Sequence, residues 1–270
     1  MSQPSEPIKI IFFDIDETLY VKSKAYIPTS ITEQVLPQLK ANGIIPAIAT
    51  GRNFGCFPEA LRPLIGEHGF ELFVTINGQY NFYKDQMISE YGLTRSQIER
   101  CIEKFRALGI AYAFVSTDDI AVSEDNPIVR AATAPIKVDY VVDPDFYLKN
   151  TVVQMLAYYP ESRDEAVRAS GLLSDDLKAV RWNAEAVDIL RIENSKARGI
   201  EDVLKHFGLK IENSMAFGDG FNDIEMFDTV GFSVAMGNAE AELKQHADYV
   251  TKHIEEDGIL HALKTFKFVN

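Results

Sequence analysis

The sequence predicts an α/β protein, a Rossmann-like parallel-sheet core interrupted by an inserted α+β domain. Three observations lead there. The near-continuous apolar run Ile8-Lys9-Ile10-Ile11-Phe12-Phe13 is rich in β-branched and aromatic residues, which suits a strand buried on both faces of a parallel sheet. Strand and helix signals alternate at both ends of the chain, the rhythm of parallel strands joined by crossover helices. In the middle, strands outnumber helices and Pro127, Pro135 and Pro144 punctuate the connections. Residues 1–83 and 187–270 are therefore expected to form a split core, and residues 84–186 the insert.

Each element has a local reason. After the first strand, Ser30 and Glu33 stand at capping-box spacing ahead of Val35, Leu36 and Leu39, and Gly43 is placed to end that helix. Pro37 lies inside the pattern and should kink or divide it. Residues 44–49 and 72–76 read as the second and third strands. Late in the chain, helical periodicity over 196–207 stops at Gly208; strands are expected at 214–217 and 232–236, helices from 223 and 240, a short strand at 249–251 and a closing helix around Leu260. Within the insert, Ile98, Cys101, Ile102 and Phe105 share one face of a helix over 94–108 that Gly109 ends. Residues 111–115 and 151–159 read as strands, and 179–182 and 187–190 as a pair joined by a turn.

Composition narrows the function. The chain has 270 residues, enough for one large or two small domains at about 150 residues each. Its 46% hydrophobic and 25% charged content supports a packed core and excludes a disordered chain. Twenty-seven basic against 40 acidic residues leave a net charge of −13, which repels phosphate backbones and anionic lipid heads. Neither nucleic acid nor membrane is an expected partner. No apolar run approaches the roughly 20 residues that span a bilayer, and residues 1–7 are polar without a signal-like apolar stretch. Cys56 and Cys101 are too few for a disulfide framework or a thiolate zinc site and read as small buried residues. The five histidines show no ligand spacing. A cytoplasmic protein acting on a small molecule is the expectation, with a homo-oligomer left open.

The informative string is Asp14-Ile15-Asp16-Glu17-Thr18, directly after the first strand. Ligands of open parallel sheets bind beyond the carboxyl ends of strands. Two acids one residue apart repel each other, so a site that gathers them commonly holds a cation. By itself the string reads equally well as a solvated acidic loop. The late strand, however, ends in Gly218-Asp219-Gly220-Phe221-Asn222-Asp223. If both strands lie side by side, Asp14, Asp16 and Asp219 converge, and oxygen-only ligands in that number suit Mg²⁺. An EF-hand fails, because its glycine and bidentate glutamate positions are Leu19 and Ala25. The glycine string is no dinucleotide fingerprint, because Asp223 stands where the last glycine would be.

Thr50-Gly51-Arg52 ends the second strand, where a hydroxyl and backbone N–H groups can cradle an anion; alone the triplet reads as a helix cap. Lys196 opens a helix, where the macrodipole disfavours a cation and calls for an anionic partner. Phosphoryl transfer needs positioning and charge neutralisation. Mg²⁺, Lys196, Thr50 and nearby amides would neutralise the phosphoryl oxygens, Asp14 would attack phosphorus, and Asp16 would serve as acid and then base.

Together these strings resemble the four motifs of haloacid dehalogenase-like phosphatases, in the family's order and over essentially the whole chain. Asn77-Gly78 and Ala235-Met236-Gly237-Asn238-Ala239 further resemble the Cof-type (subclass IIB) sugar-phosphatase branch. The resemblance implies a Mg²⁺-dependent phosphatase acting through an aspartyl-phosphate on sugar phosphates or related metabolites. It implies Asp14 as nucleophile and metal ligand, Asp16 as acid/base and metal ligand through its backbone carbonyl, and Asp219 as metal ligand. Thr50, Gly51, Lys196 and Asn222 would bind phosphate. Asp223 would act from behind, through water or by orienting Lys196. The insert would be a cap that closes the site and selects the leaving group. Glu17 departs from the branch's usual Gly and should stiffen its loop; Ala197 departs likewise beside Lys196. A hexose-phosphate mutase and a non-turnover phosphoacceptor are the rival readings, and Asp16 argues against the second.

Overall fold

The computed structural model describes residues 3–137 and 139–270. It divides into two compact units, one of residues 1–52, 57–89 and 195–270, the other of residues 53–56 and 90–194. The strands in chain order are β1 (Ile10–Phe13), β2 (Ile45–Ala49), β3 (Leu72–Thr75), β4 (Tyr80–Tyr83), β5 (Gln86–Glu90), β6 (Ala111–Val115) and β7 (Ile120–Val122). They continue as β8 (Val141–Val142), β9 (Gln154–Tyr158), β10 (Leu177–Asn183), β11 (Ala186–Arg191), β12 (Ser214–Gly218), β13 (Phe232–Ala235) and β14 (Tyr249–Val250). The α-helices are α1 (Leu36–Ala41), α2 (Arg95–Leu108), α3 (Pro127–Thr133), α4 (Asp164–Ala169), α5 (Lys196–His206), α6 (Ile224–Thr229), α7 (Ala241–Gln245) and α8 (Gly258–Thr265).

The first unit is the Rossmann-like half of the predicted α/β fold. Its sheet runs β14-β13-β12-β1-β2-β3-β4-β5, parallel from β14 to β3, with β4 antiparallel to β3. All four residues of β1 are fully buried, which is why their run carries no polar alternation. Phe13 stacks on Phe217 of β12 at 5.2 Å between ring centres. From β1 the chain moves outward through β2 and β3, then returns to β12 on the other side of β1. The order of strands therefore reverses between β1 and β12, and a crevice opens at such a switch point beyond the carboxyl ends of the strands.

The second unit has a six-stranded sheet, β10-β11-β9-β6-β7-β8, antiparallel except for the β7–β8 pair. The apolar face of α2, with Ile98, Cys101, Ile102 and Phe105, packs in one cluster with Tyr112, Phe114 and Met155. Gly109 ends α2 in the left-handed region at φ 59°.

Two sequence expectations shift. The insert boundaries of 84 and 186 fall too early, because β5 pairs onto β4 in the first sheet and β11 pairs with β9 in the second. Ser30 does not cap a helix: its hydroxyl donates to Asp257 Oδ1 at 2.6 Å, and a wide π-type turn over Ile31–Val35 precedes α1. Pro37 follows closely on that π-type segment within one continuous helical stretch, αR at Ser30, Val35 and Leu36, so the regular helix is divided just before the proline, as its missing N–H leads one to expect. Among the described residues no helix is long and apolar enough to cross a membrane.

Thr94 and Gln97 form a capping box on α2, Thr94 Oγ1 accepting from the Gln97 N–H and Gln97 Oε1 from the Thr94 N–H. Thr94→Ala should therefore destabilise the second unit by about 1 kcal/mol, read as an earlier urea midpoint with an unchanged slope.

Candidate active site

The register delivers three loops to one rim. Phe13 pairs with Phe217 on one side and Ile48 on the other, so Asp14, Asp219 and Thr50 all emerge at the carboxyl end of the sheet. The Asp14 N–H donates to Phe217 O at 3.1 Å, and the Thr50 N–H to Val74 O at 2.9 Å, extending the ladder past the strand ends.

Lys196 is the centre of this rim. Ser195 caps α5 through its hydroxyl, which accepts from the Arg198 N–H. The Lys196 side chain, completely buried, donates to Asp14 Oδ1 and to Asp223 Oδ1, both at 2.6 Å. The other oxygen of Asp223 accepts the N–H groups of Asp219 and Gly220, each at 3.0 Å. That folded-back carboxylate explains Gly218, where a Cβ would stand 2.6 Å from Asp223. Burial alone would lower the Lys196 pKa, but the Asp14 and Asp223 carboxylates outweigh it and hold the ammonium well above the usual lysine range.

Asp14, Asp219 and Asp223 each bring one oxygen within 4.8 Å of the others. An all-oxygen donor set of this kind fits a hard divalent cation such as Mg²⁺. Without one, burial pushes the Asp14 carboxyl up, with further upward pressure from Asp223 and Asp16; burial and the charges of Asp14 and Asp223 do the same to Asp219. A neighbouring cation reverses that cost, because it favours the ionised carboxylates.

Asp16 differs from the expected convergence. Its carboxylate is outside this trio and pairs with Arg52, two N–H···O bonds of 2.8 Å, with Lys22 at 3.6 Å. Burial would raise Asp16, but Arg52 and then Lys22 prevail and hold it below its usual range. Sequence reasoning assigned no role to Arg52, since a guanidinium 36 positions away has no local signature.

The remaining predicted groups gather nearby. The buried Thr50 hydroxyl accepts from the Arg52 N–H at 3.1 Å and still has its own hydrogen to donate. A Cβ built at Gly51 would lie 3.1 Å from Asn77 Oδ1 and 3.7 Å from Asn222 Nδ2, so Gly51, Asn77 and the exposed Asn222 share one cradle. Ile76, Asn77 and Gly78 are all left-handed, with φ of 52°, 51° and 80°, a rare conformation for β-branched Ile76. At Gly78 a Cβ would strike Ser195 O at 2.1 Å, so this turn can sit against the start of α5 only with glycine there. Glu17 is left-handed too, at φ 56°, a conformation that glycine adopts without a Cβ penalty. Asn238 donates to Glu17 O at 2.8 Å and accepts from the Ile254 N–H at 3.0 Å, tying the Asp14–Thr18 loop to the late motif. Ala197 lies within regular α5 and leaves the helix entry undisturbed.

The family profile of haloacid dehalogenase-like hydrolases matches residues 11–263. The chain belongs to that family. A Bacillus subtilis (strain 168) relative named "Putative phosphatase YkrA" is 35% identical over 258 residues, covering 95% of this hydrolase and 96% of the relative. A Streptococcus pyogenes serotype M6 relative, "Putative bifunctional phosphatase/peptidyl-prolyl cis-trans isomerase", is 33% identical over 98% of the hydrolase, which spans only about half, 55%, of that longer protein. The solved structure of the HAD subclass IIB sugar phosphatase BT4131 superposes with a TM-score of 0.85 at 31% identity, over 96% of this chain and 99% of that one. These relatives support phosphatase activity for the hydrolase and its place in the Cof-type (subclass IIB) branch.

A carboxyl raised in the folded state binds protons that the unfolded chain has released, so the metal-free hydrolase should lose stability as pH rises from about 4 through about 7, the value to which Asp14 is pushed. Asp16 works oppositely, its contribution being lost only as pH falls below about 4. Thermal melts between pH 5 and 8 check the sign: saturating Mg²⁺ should flatten the decline and raise Tm more at pH 8 than at pH 5. An equal Mg²⁺ effect at both pH values would contradict this account.

Proposed function

We propose that this protein is a Mg²⁺-dependent phosphatase that hydrolyses small phosphomonoesters, sugar phosphates foremost, through an aspartyl-phosphate on Asp14. One observation carries the reading: a fully buried ammonium clamped between Asp14 and Asp223, with Asp219 in reach of both. A structural ion pair has no need of a third, half-buried carboxylate, whereas phosphoryl transfer needs a nucleophile, a cation and neutralising donors at one point.

The chemistry follows from the side chains. Lys196 orients Asp14 and neutralises part of the charge that a phosphate dianion brings. Thr50, the Gly51 amide and Asn222 bind the phosphoryl oxygens. Asp14 attacks phosphorus as the ester P–O bond breaks, and Asp16 delivers a proton to the departing alkoxide. Water then attacks the aspartyl-phosphate, Asp16 takes the proton, and the P–O bond to Asp14 breaks to release inorganic phosphate. Asp14, Asp219 and the Asp16 backbone carbonyl would hold Mg²⁺, which when bound supplies positive charge against the phosphoryl oxygens. Asp223 is the better support for Lys196 than a ligand, since its oxygens already accept three N–H donors. The second unit is the part proposed to choose among leaving groups.

A phosphate-release screen over sugar phosphates, nucleotides, flavin mononucleotide and pyridoxal phosphate, with and without Mg²⁺, tests the reading. Chelation should abolish release, and Asp14→Asn should lower kcat by at least about 10³-fold with the fold intact by circular dichroism. Full turnover by Asp14→Asn would end the covalent route.

A further inference from the structure

Arg52 is spent on Asp16 to a degree that demands a role. Its Nε–H donates to Asp16 Oδ2 and a terminal N–H to Oδ1, both at 2.8 Å, the fork-to-fork geometry that fixes orientation as well as distance. The Arg52 side chain is nine-tenths buried, whereas Lys22, the other cation beside Asp16, is half exposed and 3.6 Å away.

Its backbone is fixed on both sides. The Arg52 N–H donates to Thr50 Oγ1, and its carbonyl accepts the Ile76 N–H at 3.1 Å. One short loop thus carries the proposed phosphoryl anchor Thr50 and the group that grips the proposed acid/base. Asp16 needs such a grip. Its carboxylate is 29% exposed, so core packing does not choose its rotamer. Proton transfer works over about 2.6–3.2 Å, and a 1 Å misplacement costs about 10²-fold.

We infer that Arg52 is the positioning residue of Asp16: it sets the carboxylate at the leaving-group oxygen and acts through Asp16, not on the substrate. The inference rests on the phosphatase reading above. Nε–H and a terminal N–H, two of the five N–H groups of the guanidinium, are committed to Asp16.

The effect should depend on the leaving group. With a hexose 6-phosphate, whose alkoxide needs a proton, Arg52→Ala should lower kcat/KM, which reads the phosphorylation of Asp14, about 10²-fold. With p-nitrophenyl phosphate, whose leaving group departs unprotonated, the loss in kcat/KM should be slight, while hydrolysis of the aspartyl-phosphate, for which Asp16 is the base, slows alike for both esters. Arg52→Lys keeps the charge without the fork and should recover only part. In an Asp16→Asn background Arg52→Ala should change nothing further. A crystal structure of Arg52→Ala gives a readout apart from turnover: the Asp16 carboxylate should leave its single position for several rotamers. An unchanged kcat/KM on the hexose ester, equal losses of kcat/KM on both esters, losses that multiply in the double variant, or an unmoved Asp16 would each overturn the inference. If the wild-type protein releases no phosphate from any ester while Asp16 still moves in Arg52→Ala crystals, the phosphatase reading falls and the structural hold of Arg52 on Asp16 stands without its catalytic meaning.

Discussion

The Lys196 ammonium, buried between Asp14 and Asp223, is the interaction on which the site depends. A charge out of water is tolerated only with close partners, and removing one member of such a set costs about 3–5 kcal/mol. The requirement propagates outward. It holds the start of α5 against the rim formed by β1 and β12, which leaves no room for a side chain at Gly78, and it holds the Asp223 carboxylate where a side chain at Gly218 would stand. Gly199, one turn into α5, is under the same pressure, with a Cβ position 2.7 Å from Val74 and 2.8 Å from Asn81. Glycines that look scattered in the chain are thus consequences of one buried charge.

The same rim reconciles a protein of net charge −13 with an anionic substrate. Global charge governs steering at long range, but inside a low-dielectric crevice the nearest groups dominate. Lys196, the Thr50 hydroxyl, exposed amides and a cation held by carboxylates supply positive potential where it is needed. The carboxylates are costly without that cation, as their raised pKa values express. Metal binding and stability are therefore linked through the same side chains.

Some of the strained backbone lies at the same place. Glu17, Ile76 and Asn77 all occupy the left-handed region, and each lies in a loop that follows a strand of the core sheet. Such conformations persist when surroundings over-determine them. Asn238 holds the carbonyl of Glu17, and the Ile76 N–H is bonded to Arg52 O, so each strained turn is tied to a neighbouring loop. Rigidity here serves placement, because a phosphoryl-transfer site works by holding a few groups at set distances.

Much of this was legible in the chain. The apolar runs of β1, β2 and β12 identified buried parallel strands, and the acids directly after two of them identified the reactive rim, because strand burial and loop chemistry are properties of adjacent residues. The fork of Arg52 on Asp16, the Ser30–Asp257 bond and the folded-back carboxylate of Asp223 were not legible, nor was the membership of β5 in the first sheet. Those depend on which distant segments meet. Local composition determined the elements and the kinds of chemistry available; only the packing of strands and turns decided which charge faces which, since a salt bridge between residues 16 and 52 has an energy in space and no trace in sequence.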